Sequence, residues 1–78
     1  MKPTLYTDDA NAAYFEKQFN VTILNRESLL MLIKYKKGDY LAMYCNDKNE
    51  QEGLAPIAEE IAQKGVVVLL YYHFGNEL

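Results

Sequence analysis

The feature that most constrains this chain is its last apolar run. Val66 to Tyr72 is an unbroken apolar segment placed directly behind Gly65. Its β-branched start and its length predict a strand covered on both faces. A similar run, Asp39 to Cys45, follows Gly38. Between the two, Gly53 to Lys64 sets Leu54, Ile57, Ala58 and Ile61 on one helical face, which predicts a helix with Pro56 in its first turn. Strand, helix, strand in that order implies a parallel pair joined by a right-handed crossover.

The first half repeats the alternation. Thr4 to Thr7 reads as a short strand. Ala10 to Phe19 reads as a helix burying Ala12, Phe15 and Phe19, with Asp8 or Asp9 as its cap and Asn20 ending it in a left-handed turn. Val21 to Leu24 is β-branched and aliphatic, a second strand. Asn25 is a good helix N-cap, Glu27 suits the dipole, and Leu29 to Lys37 predicts a helix stopped by Gly38. A hairpin turning at Lys36-Lys37-Gly38-Asp39 competes for Leu29 to Cys45. The Asn25 cap favours the helix, and Leu29 to Ile33 shows no strand-like alternation. The expected fold is a single α/β domain over residues 1–78. It has a four-stranded, mainly parallel sheet with strand order second, first, third, fourth and helices on both faces. Three helices are few for two sheet faces, so one face is expected to be incompletely covered and to favour self-association.

Composition narrows the setting. Seventy-eight residues bury only about 60% of their unfolded surface and leave room for one core and one site. A lone cysteine, Cys45, cannot form an internal disulfide, which predicts a reducing, cytoplasmic compartment. Val66 to Tyr72 is far short of the roughly 20 residues that span a bilayer, so no membrane role is expected. A net charge of −3 counts against nucleic-acid binding by the isolated chain, because phosphate contacts call for a basic excess.

Ligands of open parallel sheets bind at the carboxyl ends of the strands. The residues predicted there are Thr7, Asp8 and Asp9 after the first strand, Asn25, Arg26 and Glu27 after the second, Cys45, Asn46, Asp47 and Lys48 after the third, and His73 after the fourth. Asp8, Asp9 and Asp47 are candidate oxygen ligands for Mg²⁺. The simpler reading is that they cap helices and turns. Cys45 reads as a buried structural thiol rather than a nucleophile, and Lys34, Lys36 and Lys37 as a solvated face. Tyr71, Tyr72 and Phe74 are candidate interface residues, since tyrosine buries much area at little entropic cost.

Three segments together resemble the N-terminal catalytic domain of serine recombinases, the resolvase and invertase family. They are Tyr6-Thr7-Asp8-Asp9-Ala10-Asn11, the Gly38-Asp39 step into Tyr40 to Tyr44 with Asp47-Lys48 behind it, and Lys64-Gly65-Val66. The resemblance implies the α/β scaffold but not the chemistry. Tyr6 stands where that family has its nucleophilic serine, Thr4 and Leu5 stand before it instead of arginine, and Lys48 to Gln51 replace further arginines. Phosphoryl transfer needs such cations. The expectation is therefore a non-enzymatic binding or regulatory domain acting through protein–protein contact, as a homodimer or with a protein partner, with no cofactor. The alternatives are a small Mg²⁺-dependent enzyme acting on phosphoesters or nucleotides, and a recombinase-like DNA-associated protein.

Overall fold

In the computed structural model, which describes residues 2–9, 12–31 and 34–72, strands and helices alternate along the chain. They are β1 (Thr4–Thr7), α1 (Ala12–Phe15), β2 (Asn20–Ile23), α2 (Arg26–Leu29), β3 (Tyr40–Tyr44), α3 (Lys48–Ala62) and β4 (Val67–Tyr71). The four strands form one parallel sheet in the order β2-β1-β3-β4. The parallel pairings rule out the hairpin reading of the middle segment.

Registered partners in a parallel sheet share a face. Tyr6, Leu41 and Val68 are partners, as are Met43 and Leu70. Their side chains meet α2 and α3 in a buried cluster built on Leu29, Tyr35, Leu41, Met43 and Ile61. The opposite face carries Leu5, Tyr40 and Val67, then Thr7, Ala42 and Leu69, then Tyr44 and Tyr71. There α1 and the turn behind it provide the cover: Ala12 is buried, and the Phe19 ring lies 5.0 Å from the Tyr40 ring. Helices thus lie on both faces. The central strand β3 is buried on both sides at Leu41, Ala42 and Met43. Buried Thr7 is satisfied by donating its hydroxyl to the Ala42 carbonyl at 2.7 Å.

The helices differ from their expected bounds for identifiable reasons. α1 is a single turn, because β2 begins early: Asn20 N–H donates to the Pro3 carbonyl at 2.9 Å. Asn20 is therefore strand rather than a left-handed stop, and no non-glycine residue among those described has positive φ. Asn25 does cap α2, accepting the Ser28 N–H at 2.8 Å. Yet α2 ends at Leu29 instead of running to Lys37. The Leu29 carbonyl, which a longer helix would use in its own ladder, accepts the buried Tyr35 hydroxyl instead. The Tyr35 ring turns inward to meet Tyr6 edge-on at 5.3 Å. Leu32 and Ile33, within the helix expected from Leu29 to Lys37, lie outside the described residues.

Gly38 has a φ of 94° and Gly65 a φ of 90°, values that side-chain-bearing residues adopt at a cost. The Gly38 N–H donates to the Gly65 carbonyl at 2.9 Å, so the turns leading into β3 and β4 brace each other. A Cβ on Gly65 would stand 2.7 Å from Lys37 Cγ.

The third helix starts at Lys48 rather than Gly53, because Asp47 caps it through the Glu50 N–H at 2.9 Å. Pro56 consequently lies inside the helix, not in its first turn. Its position is exposed, so water can serve the carbonyl that proline leaves unpaired. Pro56→Ala is expected to raise stability by up to about 3 kcal/mol. The expected result is a higher urea midpoint with an unchanged slope.

Candidate functional site

The carboxyl ends of β1 and β3 come together at the centre of the sheet, where the strand order reverses. The last β1–β3 partners are Thr7 and Ala42. β3 continues to Tyr44, so the Tyr44 backbone groups point where β1 has run out. Two side chains complete the ladder. Asp8 Oδ2 accepts the Tyr44 N–H at 3.0 Å, and Arg26 Nη1 donates to the Tyr44 carbonyl at 2.9 Å. The same guanidinium is paired with Glu50 through Nη2. Glu50 Oε1 in turn accepts the Asn46 N–H at 2.6 Å. With the Asp47 cap this is a capping-box arrangement shifted by one residue.

The polar edge therefore has a structural occupation. Asp8 extends a strand pairing, Asp47 starts α3, and Asn25 starts α2. Among the described residues no group of three or more His, Cys, Asp or Glu side chains is placed to hold a metal ion. Asp8 Oδ2 and Asp47 Oδ1 each accept a backbone N–H, from Tyr44 and Glu50 respectively. Asp9 is exposed and, with Asp8, Asn25, Arg26 and Glu27, lines an open cleft of about 550 Å3 at the ends of β1 and β2. Lys48 is exposed and lies 3.9 Å from Glu52, a surface pair of small energy. His73 and Phe74 lie outside the described residues.

Cys45 is fully buried. Burial pushes its thiol up from the ordinary value, and Glu50 adds to the effect, which opposes the thiolate a nucleophile needs. Arg26, expected at this edge behind the second strand, is placed there by the Asn25-capped turn of α2.

The aromatic end of β4 is better placed for contact than for chemistry. Tyr71 and Tyr72 are half-buried, and the Tyr71 ring meets Tyr44 at 5.7 Å on the α1 face. Burial, then the neighbouring charge of Asp8, pushes the Tyr71 phenol up to about 12. Burial also raises Tyr35. Both phenols hold their protons more tightly in the folded chain than in the unfolded one. For Tyr71 the resulting contribution to stability is complete below the unfolded value of about 10 and is lost as pH rises towards about 12, and the contribution of Tyr35 likewise begins to be lost above the unfolded value. Alkaline unfolding, followed by circular dichroism together with phenolate absorbance, is expected to begin in that window. Stability unchanged from about pH 9 to pH 12 would contradict it.

Beside Tyr71, β4 shows the incomplete cover that three helices over two sheet faces imply, against the reading of its apolar run as covered on both sides. Its continuous apolar run is not covered on both faces. Val67 is 55% exposed and Leu69 49%, both on the α1 face, and Tyr14 of α1 is 78% exposed. One turn of helix is too short to reach across the sheet to its edge. The residues that matter here, Val67, Leu69 and Tyr14, are not among the expected interface residues. The order of the strands, which puts β4 at an edge, was the signal for the first two.

Among the described residues no helix is long and apolar enough to cross a membrane. Comparison with protein-family models, curated proteins and solved structures finds no match to this chain.

Proposed function

We propose that this chain is a non-enzymatic binding domain that acts through protein–protein contact, with a second copy of itself as partner. The observation that carries this reading is the pair Val67 and Leu69, half open to solvent on the sheet face that α1 leaves uncovered. Large exposed aliphatic side chains in a row mark contact surfaces more often than they mark chance. Tyr14, also exposed, and half-buried Tyr71 and Tyr72 add the residue type most enriched in interface hot spots.

A second copy suits this surface. The strand positions of the α1 face are Leu5, Thr7, Val21, Ile23, Tyr40, Ala42, Tyr44, Val67, Leu69 and Tyr71. None is charged, so two copies can meet there despite a net charge of −3 each. A two-fold contact uses the same patch twice and needs no further complementarity.

The strand-end residues support this reading from the other side, since Asp8, Arg26, Glu50 and Asp47 are engaged in holding β3 and α3. The likeness to serine recombinases enters only as scaffold: Tyr6 packs edge-on against Tyr35 beside the core cluster. A reducing, cytoplasmic setting fits the single buried thiol of Cys45.

Sedimentation equilibrium over a wide concentration range tests the proposal. The expected result is a mass rising to that of a dimer. A strict monomer at the highest concentration removes the homodimer.

A further inference from the structure

β4 closes one side of the sheet. Val67 N–H donates to the Asp39 carbonyl at 3.0 Å, and the Tyr71 carbonyl accepts the Cys45 N–H at 2.7 Å. Val67, Leu69 and Tyr71 therefore turn their backbone groups towards β3. Val68 and Leu70 turn theirs away from the sheet. The Leu70 carbonyl is taken by Gln51 Nε2 at 2.7 Å. The Val68 N–H, the Val68 carbonyl and the Leu70 N–H have no partner among the described residues. Charges, prolines and bulges commonly blunt an edge strand. Val67–Tyr71 carries no charge and no proline, and its register with β3 runs without a bulge.

α3 runs beside this edge and leaves a groove of about 420 Å3 along it. Ala55, Ala58 and Ala62 keep the helix side of the groove low, and Val68 and Leu70 form the strand side. Glu52 and Glu59 stand exposed on the rim. Glu52 has Lys48 3.9 Å away, an exposed pair that a better-placed cation can displace.

The geometry points to β4 as the docking strand for an extended peptide of another protein, in which basic residues alternate with aliphatic ones. Such a peptide joins the sheet as a fifth strand and bonds to Val68 and Leu70. Its side chains alternate between the two faces. Those over α3 meet alanines below and carboxylates at the rim, which suits lysine or arginine: the stem lies on the alanines and the cation reaches Glu52 or Glu59. Those on the other side lie next to exposed Val67 and Leu69, which suits valine or leucine. A second copy of β4 is a poor occupant, because it brings no basic residue and two-fold pairing would set the Glu52 and Glu59 rims against each other. This strand edge shares exposed Val67 and Leu69 with the face assigned to self-association, but the N-methyl contrast below reads the backbone edge alone, so its failure is distinguishable from failure of the dimer.

The test is fluorescence anisotropy of a labelled peptide, Lys-Val-Lys-Val-Lys-Val-Lys, titrated with the full chain. Two further peptides carry N-methyl groups, one on the inner lysines and one on the valines. In a strand, alternate residues point their N–H groups to the same side, so only one of these sets faces β4. The expected result is saturable binding that one methylated set weakens by at least about tenfold and the other leaves unchanged. Glu52→Lys with Glu59→Lys, both at exposed positions, is expected to weaken binding by a similar factor, and amide shifts are expected to centre on Val68 and Leu70. General charge attraction predicts that both methylated peptides bind alike, and that result overturns the proposal. So does the absence of any anisotropy change.

Discussion

Leu69→Glu is expected to abolish the proposed self-association without unfolding the chain. Leu69 is already 49% exposed on β4, so a carboxylate there can stay hydrated in the free chain. The cost to folding is expected to stay within about 1 kcal/mol. In the dimer the same carboxylate would be enclosed against an apolar copy of its own surface, twice over by symmetry. An unpaired charge removed from water costs several kcal/mol. Dissociation is expected to strengthen by at least about a hundredfold, which corresponds to about 2.7 kcal/mol. Velocity sedimentation gives the mass, and circular dichroism confirms the fold. A variant that still dimerises with wild-type affinity places the contact elsewhere.

Met43→Ala is expected to act in the opposite way, on stability and not on the surface. Met43 lies at the middle of β3, fully buried, in the cluster with Leu29, Leu41 and Ile61. β3 pairs with both β1 and β4, so a cavity there loosens the packing beneath both junctions. Truncating a buried methionine costs about 2–5 kcal/mol, a large share of the roughly 5–15 kcal/mol that holds an ordinary domain together. Met31→Ala makes the control, since Met31 is 52% exposed and its loss is expected to cost no more than about 0.5 kcal/mol. Urea unfolding of the two variants side by side separates them. Equal midpoints would mean that the core does not rest on β3.

Much of the fold was legible because local and global signals agree. Val66 to Tyr72 and Asp39 to Cys45 each follow a glycine and read as strands, and the structure places β4 and β3 there. Asn25 reads as a cap and is one. The failures have a common form, in which a tertiary contact took a backbone group that local propensity had assigned elsewhere. Tyr35 claimed the Leu29 carbonyl and ended α2 after one turn. Pro3 claimed the Asn20 N–H and shortened α1. Asp47 and Glu50 started α3 well before Gly53, which overrode the preference of Pro56 for a first turn.

The site was less legible. Acidic residues after strands were visible, but the Tyr44 backbone groups that Asp8 and Arg26 serve are exposed only because β1 is shorter than β3. That mismatch in strand length has no local sequence mark. The open row on β4 was hidden by its own uniformity. An unbroken apolar run has no alternation to separate a covered face from a bare one, so coverage depended on the length of α1, which local pattern overstated.

The central claim is that the α1 face beside β4 joins two copies of this chain. The most direct measurement is an isotope-filtered NOE experiment on a mixture of labelled and unlabelled chains, which records only contacts between copies. Intermolecular contacts from the Val67 and Leu69 methyl groups and from the Tyr14 ring are predicted. Their absence at concentrations where the chain is dimeric, or contacts confined to α3 and the cleft at Asp9, would contradict it.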